Sequence, residues 1–267
     1  MKAWILTVAI LLAGTAHAHG FWVNLSQYAI DLENPSHGSP GLRAFIGFGH
    51  YYPSDEPVKL EEVTRYELVK PGGERSALRP LGAGYLVAEV KPEQAGPHVV
   101  AARYYSHFFT MYKENGETKY ATEPKSGIEN VRLSHHYDVF GKALLAVGDT
   151  AEGDFTQPLG DDFEIVPQRN PRSLAGVPAE QRALTVTVLH KGQPALGADI
   201  RATYLGYSSK GDFAVETQTN ESGEAVIPLK HPGPWVVLAH KAEPATGDMA
   251  EKTDEMHYEA SLTFSVE

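Results

Sequence analysis

The chain has 267 residues, 42% of them hydrophobic, with no cysteine and a formal net charge of −11. That is enough apolar material for one large or two ordinary domains, while the acidic balance argues against nucleic acid, which needs a clustered basic surface. Without cysteine there is neither a disulfide framework nor a thiolate metal site, and Pro 18 with Gly 25 points to the many turns of an all-β protein.

Met1-Lys2 is a short charged start, Ala3 to Ala13 is almost uninterrupted apolar sequence, and Ala16-His17-Ala18 has the small-x-small form read by signal peptidase. This order predicts a secretory signal peptide over 1–18. The apolar run falls short of the roughly 20 residues that a membrane-spanning helix needs. No later run approaches that length, so the expected product is soluble, with no direct membrane insertion. Cutting after Ala18 would leave His19-Gly20-Phe21-Trp22 at the front. A leading histidine offers two donors, the freed α-amine and the imidazole Nδ1. Their ordinary pKa values, about 7.7–8.0 and about 6.5, let both lose protons near neutral pH. The plain alternative is that His19 merely marks where the cut falls.

From there the chain reads as short strands between turns. Leu42, Ala44, Ile46 and Phe48 share a face by the two-residue period of a strand, and His50 continues it where the strand meets Tyr51-Tyr-Pro-Ser-Asp55. Thr64 to Lys70 alternates, Lys70-Pro-Gly-Gly-Glu74 is a turn, Tyr85 to Val90 a strand, and His98 to Met111 a long one. Residues 113–127 read as a loop. Period does not separate helix from strand over Val131 to Val147, and Asp162 to Val166 closes a first domain over 19–166. A proline-rich stretch without apolar period predicts a linker over 167–182.

Strands at Leu184–Leu189, Ala198–Tyr204, Phe213–Thr219, Ala225–Leu229, Trp235–Lys241 and Tyr258–Val266 then describe a second domain over 183–267. Such spacing is that of an Ig-like β-sandwich. In the last strand Tyr258, Ala260, Leu262, Phe264 and Val266 form an apolar face, with Glu259, Ser261, Thr263 and Ser265 expected outward.

Four stretches together resemble a family of periplasmic proteins known as DUF4198, related to the extracytoplasmic part of the nickel-uptake component NikM. They are the leader ending before His19-Gly-Phe-Trp22; Gly47-Phe-Gly-His50 with Pro53 and Asp55; Val188 to Ile200 followed by Thr219-Asn-Glu-Ser-Gly223; and Pro232 to His240 with Tyr258 to Phe264. The resemblance implies two Ig-like β-domains, a periplasmic location and divalent-metal handling, but no enzyme. In the nickel-uptake relatives the start of the mature chain and a histidine hold the metal, and His19 and His50 are the positions that carry over. This chain lacks membrane-spanning segments, so the resemblance implies at most a partner of a membrane metal transporter.

The candidate metal ligands are His19, His50, His240 and His257. His50 ends an apolar strand face, either as a capped structural residue or as a ligand at a rim. His240 shares a face with Val236 and Leu238, where a polar ring needs a partner, a hydrogen bond or an ion. A hairpin would set His240 and His257 at the feet of the 242–256 loop, which is either solvated and mobile or a lid adding carboxylate and thioether donors. His107 lies among aromatic residues and reads as stacked; His135 and His136 point to opposite faces if their segment is a strand. His37, His98, His190 and His231 read as solvated.

A site of amine and imidazoles without thiolate suits nickel, cobalt, copper or zinc, and binding should weaken below about pH 6 as the ligands protonate. The leading expectation is a soluble periplasmic binding protein for a divalent transition metal, nickel or cobalt favoured, in uptake or homeostasis. Two alternatives stand beside it. One is a histidine-brace copper oxidase or monooxygenase; the other is a metal-free structural or carbohydrate-binding sandwich. No Gly-x-Ser-x-Gly elbow supports a hydrolase.

Overall fold

The computed structural model of the chain describes residues 19–32, 41–148 and 154–266; the expected signal peptide and His37 lie outside the described residues. In chain order the strands are β1 (Gly20–Leu25), β2 (Ala29–Ile30), β3 (Arg43–Gly49), β4 (Val63–Val69), β5 (Arg75–Ala77), β6 (Ala88–Glu89), β7 (Gly96–Glu114), β8 (Glu117–Ala121) and β9 (Val131–Val147). They continue as β10 (Phe163–Pro167), β11 (Ala183–His190), β12 (Gln193–Pro194), β13 (Asp199–Tyr204), β14 (Val215–Gln218), β15 (Glu224–Pro228), β16 (Gly233–Pro244) and β17 (Glu255–Val266). The described residues are otherwise turns, loops and single 3₁₀ turns, so the fold is all-β.

Three sheets form. The widest has ten strands and runs β14-β13-β16-β17-β9-β7-β4-β5, with β2 on β9 and β8 on β7. A small sheet, β1-β3-β6, covers one face of it, and β10-β11-β12 with β15 covers the other. The result is two sandwich layers sharing a continuous sheet. Strand β9 shows why. Its Tyr137, Val139, Ala143, Leu145 and Val147 belong to the core beneath the small sheet. Phe140, Leu144 and Ala146, on the opposite parity, belong to the core around Trp235 and Phe264. A strand buried on both faces reads as a continuous apolar run, which is why the 131–147 segment shows no period.

The halves meet through β17, which pairs parallel with β9, Glu255 beside His135 and Thr263 beside Ala143. The expected partition into 19–166, a linker over 167–182 and 183–267 is therefore crossed by a continuous sheet. Strand β10 pairs with β11, Phe163 opposite His190 and Pro167 opposite Val186, so it sits with the second sandwich rather than the first. Residues 168–182 do not form an open tether. Two 3₁₀ turns, Pro171–Leu174 and Ala179–Gln181, run there, and Leu174 is buried.

Other expectations shift for physical reasons. The supposed loop over 113–127 contains β8, folded back as a hairpin on β7. A register shift between Tyr104 and His107 moves His107 onto the face of Tyr104 and Tyr137. The Ser261 and Thr263 side chains are buried instead of solvated, because β1 lies over them; the Thr263 hydroxyl donates to the Val23 carbonyl. No helix among the described residues is long and apolar enough to cross a membrane.

Candidate metal centres

The antiparallel pairing of β1 with β3 sets Gly20 opposite Gly49. His19, one residue before β1, and His50, one residue after β3, therefore stand side by side, their ring centroids 4.3 Å apart. The His19 ring also stacks on Phe48. The turn after β3 is held tightly. Asp55 Oδ1 accepts from the His50 and Tyr51 amides at 2.8 and 3.0 Å, and the Glu56 amide donates to the Phe48 carbonyl at 3.1 Å. That return places Glu56 Oε1 3.1 Å from His19 Nε2 and 3.3 Å from His50 Nδ1.

Two glycines make the turn possible. A Cβ on Gly47 would lie 2.0 Å from Trp22 Nε1 and 2.2 Å from the Pro53 carbonyl, which accepts the Trp22 indole N–H at 2.5 Å. Gly49 has φ +117°, a left-handed backbone that disfavours side chains, and its Cβ would meet Asp55 Oδ1 at 2.0 Å. The Gly-Phe-Gly-His motif with its later proline and aspartate is thus a device that aims His50. All three donor side chains stay reachable, at 45%, 48% and 40% exposure for His19, His50 and Glu56.

A second group forms on the ten-stranded sheet. Parallel pairing of β17 with β9 puts Glu255 beside His135 and His257 beside Tyr137, all on one face by strand alternation. Glu255 Oε2 lies 3.3 Å from His135 Nε2 and 3.1 Å from His257 Nε2, and the two rings stack 4.1 Å apart. The ligand atoms of His135, Glu255 and His257 all fall within 4.8 Å of one another, as do those of His19, His50 and Glu56. From β16, His240 turns its Nε2 to His257 Nδ1 at 2.9 Å, and Asp199 Oδ2 stands 3.8 Å from His240 Nδ1.

The 242–256 segment is anchored where it re-enters the sheet. The Thr253 hydroxyl donates to the Ser134 carbonyl at 2.7 Å, and Asp254 accepts from the Ser134 amide at 2.7 Å and pairs with Lys125 at 2.7 Å. Glu255 thus enters β17 from a fixed position.

His50 and the second group line one cavity of about 760 Å³, walled by β1, the turn at 50–52, residues 208–213 and the exposed face of β13, β16 and β17. In its second group burial favours the neutral rings of His135 and His257. Burial, then the charges of His135 and His240, hold His257 down at about 4 against an ordinary 6.5, with Glu255 opposing. Burial also lowers His135, again opposed by Glu255. Neutral rings keep lone pairs available to a metal. On the cavity floor, burial lifts the Glu259 carboxyl to about 7, against the pull of Arg201.

The four sequence-derived candidates thus divide into two pairs, His19 with His50 and His240 with His257. Glu56 and His135 were not among them. Glu56 becomes visible only once the 50–55 turn is folded, and His135 only once a strand 120 residues later lies beside it. His136 points away, against Phe108. His98, expected in solvent, is fully buried, its Nδ1 3.1 Å from the Gly96 carbonyl; His190 packs on Tyr258, and His231 stacks on Tyr204.

A family model described as "Domain of unknown function (DUF4198)" matches residues 16–243. That span holds His19, His50, Glu56, His135 and His240 and ends before Glu255. No curated protein matches the chain. Among solved structures it is similar to the D0-D1 domain of intimin, at 13% identity over 92% of this chain and 97% of that one, with a TM-score of 0.22. The D00-D0 domain of intimin gives 16%, 91%, 98% and 0.19. The BSP domain of a biofilm-associated protein gives 8%, 85%, 28% and 0.20. At such TM-scores these likenesses carry no argument.

Proposed function

This chain belongs to the family described as "Domain of unknown function (DUF4198)", and we propose that it is an exported, periplasmic protein that binds a divalent transition metal for uptake or homeostasis. The observation that carries this reading is the convergence of His19 Nε2 and His50 Nδ1 on one carboxylate oxygen of Glu56, at 3.1 and 3.3 Å. Two imidazoles and a carboxylate on a half-exposed rim suit nickel, cobalt, zinc or copper. Resemblance to the nickel-uptake component favours the first two, and a membrane metal transporter is the partner that such a role implies.

The nitrogen of His19 that faces Glu56 is Nε2, whereas a chelate with its own α-amine would use Nδ1. One ring cannot offer both to one ion. We therefore assign the ion to the three side chains and not to the amine. Calorimetric titration of the exported protein with Ni²⁺ tests this. His19→Ala, His50→Ala and Glu56→Gln should each weaken binding about tenfold or more, whereas protein that retains a residue before His19 should bind as tightly as the trimmed form. Unchanged affinity in all three variants would overturn the assignment; loss of binding in the extended form would return it to the amine.

A further inference from the structure

We propose a second divalent-cation site inside the cavity, formed by His135 Nε2, His257 Nε2 and Glu255 Oε2, with His240 as a positioning residue. It goes beyond the reading above and does not depend on it, since the two donor sets share no residue. A metal bound at about 2.0–2.2 Å from imidazole nitrogens and carboxylate oxygen needs donors separated by a few ångströms. Those here lie 3.1 and 3.3 Å from the shared carboxylate oxygen and all within 4.8 Å of each other.

The polar chain behind the site, a charge contact and then a ring-to-ring hydrogen bond, favours a cation there. Asp199, held by the Gln218 amide at 2.8 Å, stands 3.8 Å from His240 Nδ1, a charge contact rather than a hydrogen bond, and its charge favours the proton on that nitrogen. His240 Nε2 is then an acceptor, and it takes the Nδ1 proton of His257 across 2.9 Å. That tautomer leaves a lone pair on His257 Nε2 pointing at a carboxylate oxygen 3.1 Å away. In that tautomer two acceptors face each other, and a cation between them satisfies both. Carboxylate–histidine–metal relays of this kind fix a ligand's tautomer and direction. On the other side, His135 Nδ1 faces the Tyr137 hydroxyl at 3.3 Å, which can accept its proton and leave Nε2 bare.

Equilibrium dialysis with Zn²⁺, and titration with Co²⁺ followed by its visible ligand-field bands, would count the ions on the full exported chain. Wild type should hold two per chain. Glu255→Gln, at a side chain 47% exposed and therefore safe for folding, and His257→Ala should each hold one, as should His50→Ala. His240→Ala should keep the cobalt spectrum of the second ion while weakening it about 10- to 100-fold. One ion per wild-type chain, unaffected by Glu255→Gln and His257→Ala, would overturn the proposal. One ion that Glu255→Gln removes and His50→Ala spares would uphold it, and would overturn the rim site instead.

Discussion

Gly49 carries a constraint that no other residue type meets. Its φ of +117° and the Asp55 oxygen where its Cβ would stand both exclude a side chain. Gly49→Ala must therefore either strain the backbone, at about 1–3 kcal/mol, or push Asp55 off the His50 and Tyr51 amides. Either outcome re-aims His50. The variant should unfold at lower urea, and its rim-site Ni²⁺ affinity should fall about tenfold or more, read by calorimetry beside urea melts; wild-type affinity would show that the turn does not position the ligand. At this scale the sequence shows the histidines plainly but not their companions. Histidines 135 and 136 do point to opposite faces, as alternation requires. That rule alone scores both low, because it is blind to Glu255 and His257 arriving from another strand.

Strand β9 holds an ion pair in its interior. Lys142 Nζ lies 2.8 Å from Glu164 Oε2, with the side chains only 6% and 3% exposed, and Glu164 also accepts the Leu159 and Gly160 amides at 2.9 Å. Removing one partner of such a pair leaves a buried charge uncompensated. Lys142→Met should cost about 3–5 kcal/mol by urea unfolding, whereas Lys142→Met with Glu164→Gln should recover part of it. Equal loss in both would assign the cost to shape alone. Thr253→Val removes the hydroxyl bond to Ser134 in a fully buried place. It should cost about 1–3 kcal/mol and weaken Zn²⁺ at the Glu255 site while sparing the rim site.

Legibility at the element scale follows burial. Strand β11, with Leu184, Val186 and Val188 inward and Thr185 and Thr187 on the other parity, alternates and is readable. Strand β1 is buried from Phe21 to Leu25 and shows no period to find. Partner choice is less visible still, since the parallel β9–β17 contact joins segments that no local pattern connects.

For the whole molecule, two cores on opposite faces of one sheet bury many imidazoles, and acid should find them. Folding holds His257 at about 4 against 6.5 in an open chain, so between those values the unfolded form binds the proton first. Stability is complete above about pH 6.5 and drains as pH falls toward 4. Burial lowers His98, His107, His135, His136 and His190 in the same sense. Glu259 opposes them: raised to about 7 from 4.5, it adds stability as pH falls through that window. Six rings against one carboxyl give the sign. Metal-free protein should unfold at clearly lower urea at pH 4.5 than at pH 7, and an unchanged or higher midpoint would contradict it.

Strand β17 is made after every other described strand, yet it occupies an inner lane of the widest sheet, between β16 and β9. Until it docks, β9 has one bare edge and His135 has no Glu255 beside it. A nascent or clipped chain lacking 255–266 would thus be missing the seam between its halves along with two donors of the inner centre. A cation held at the proposed inner site would then report that the last strand has docked.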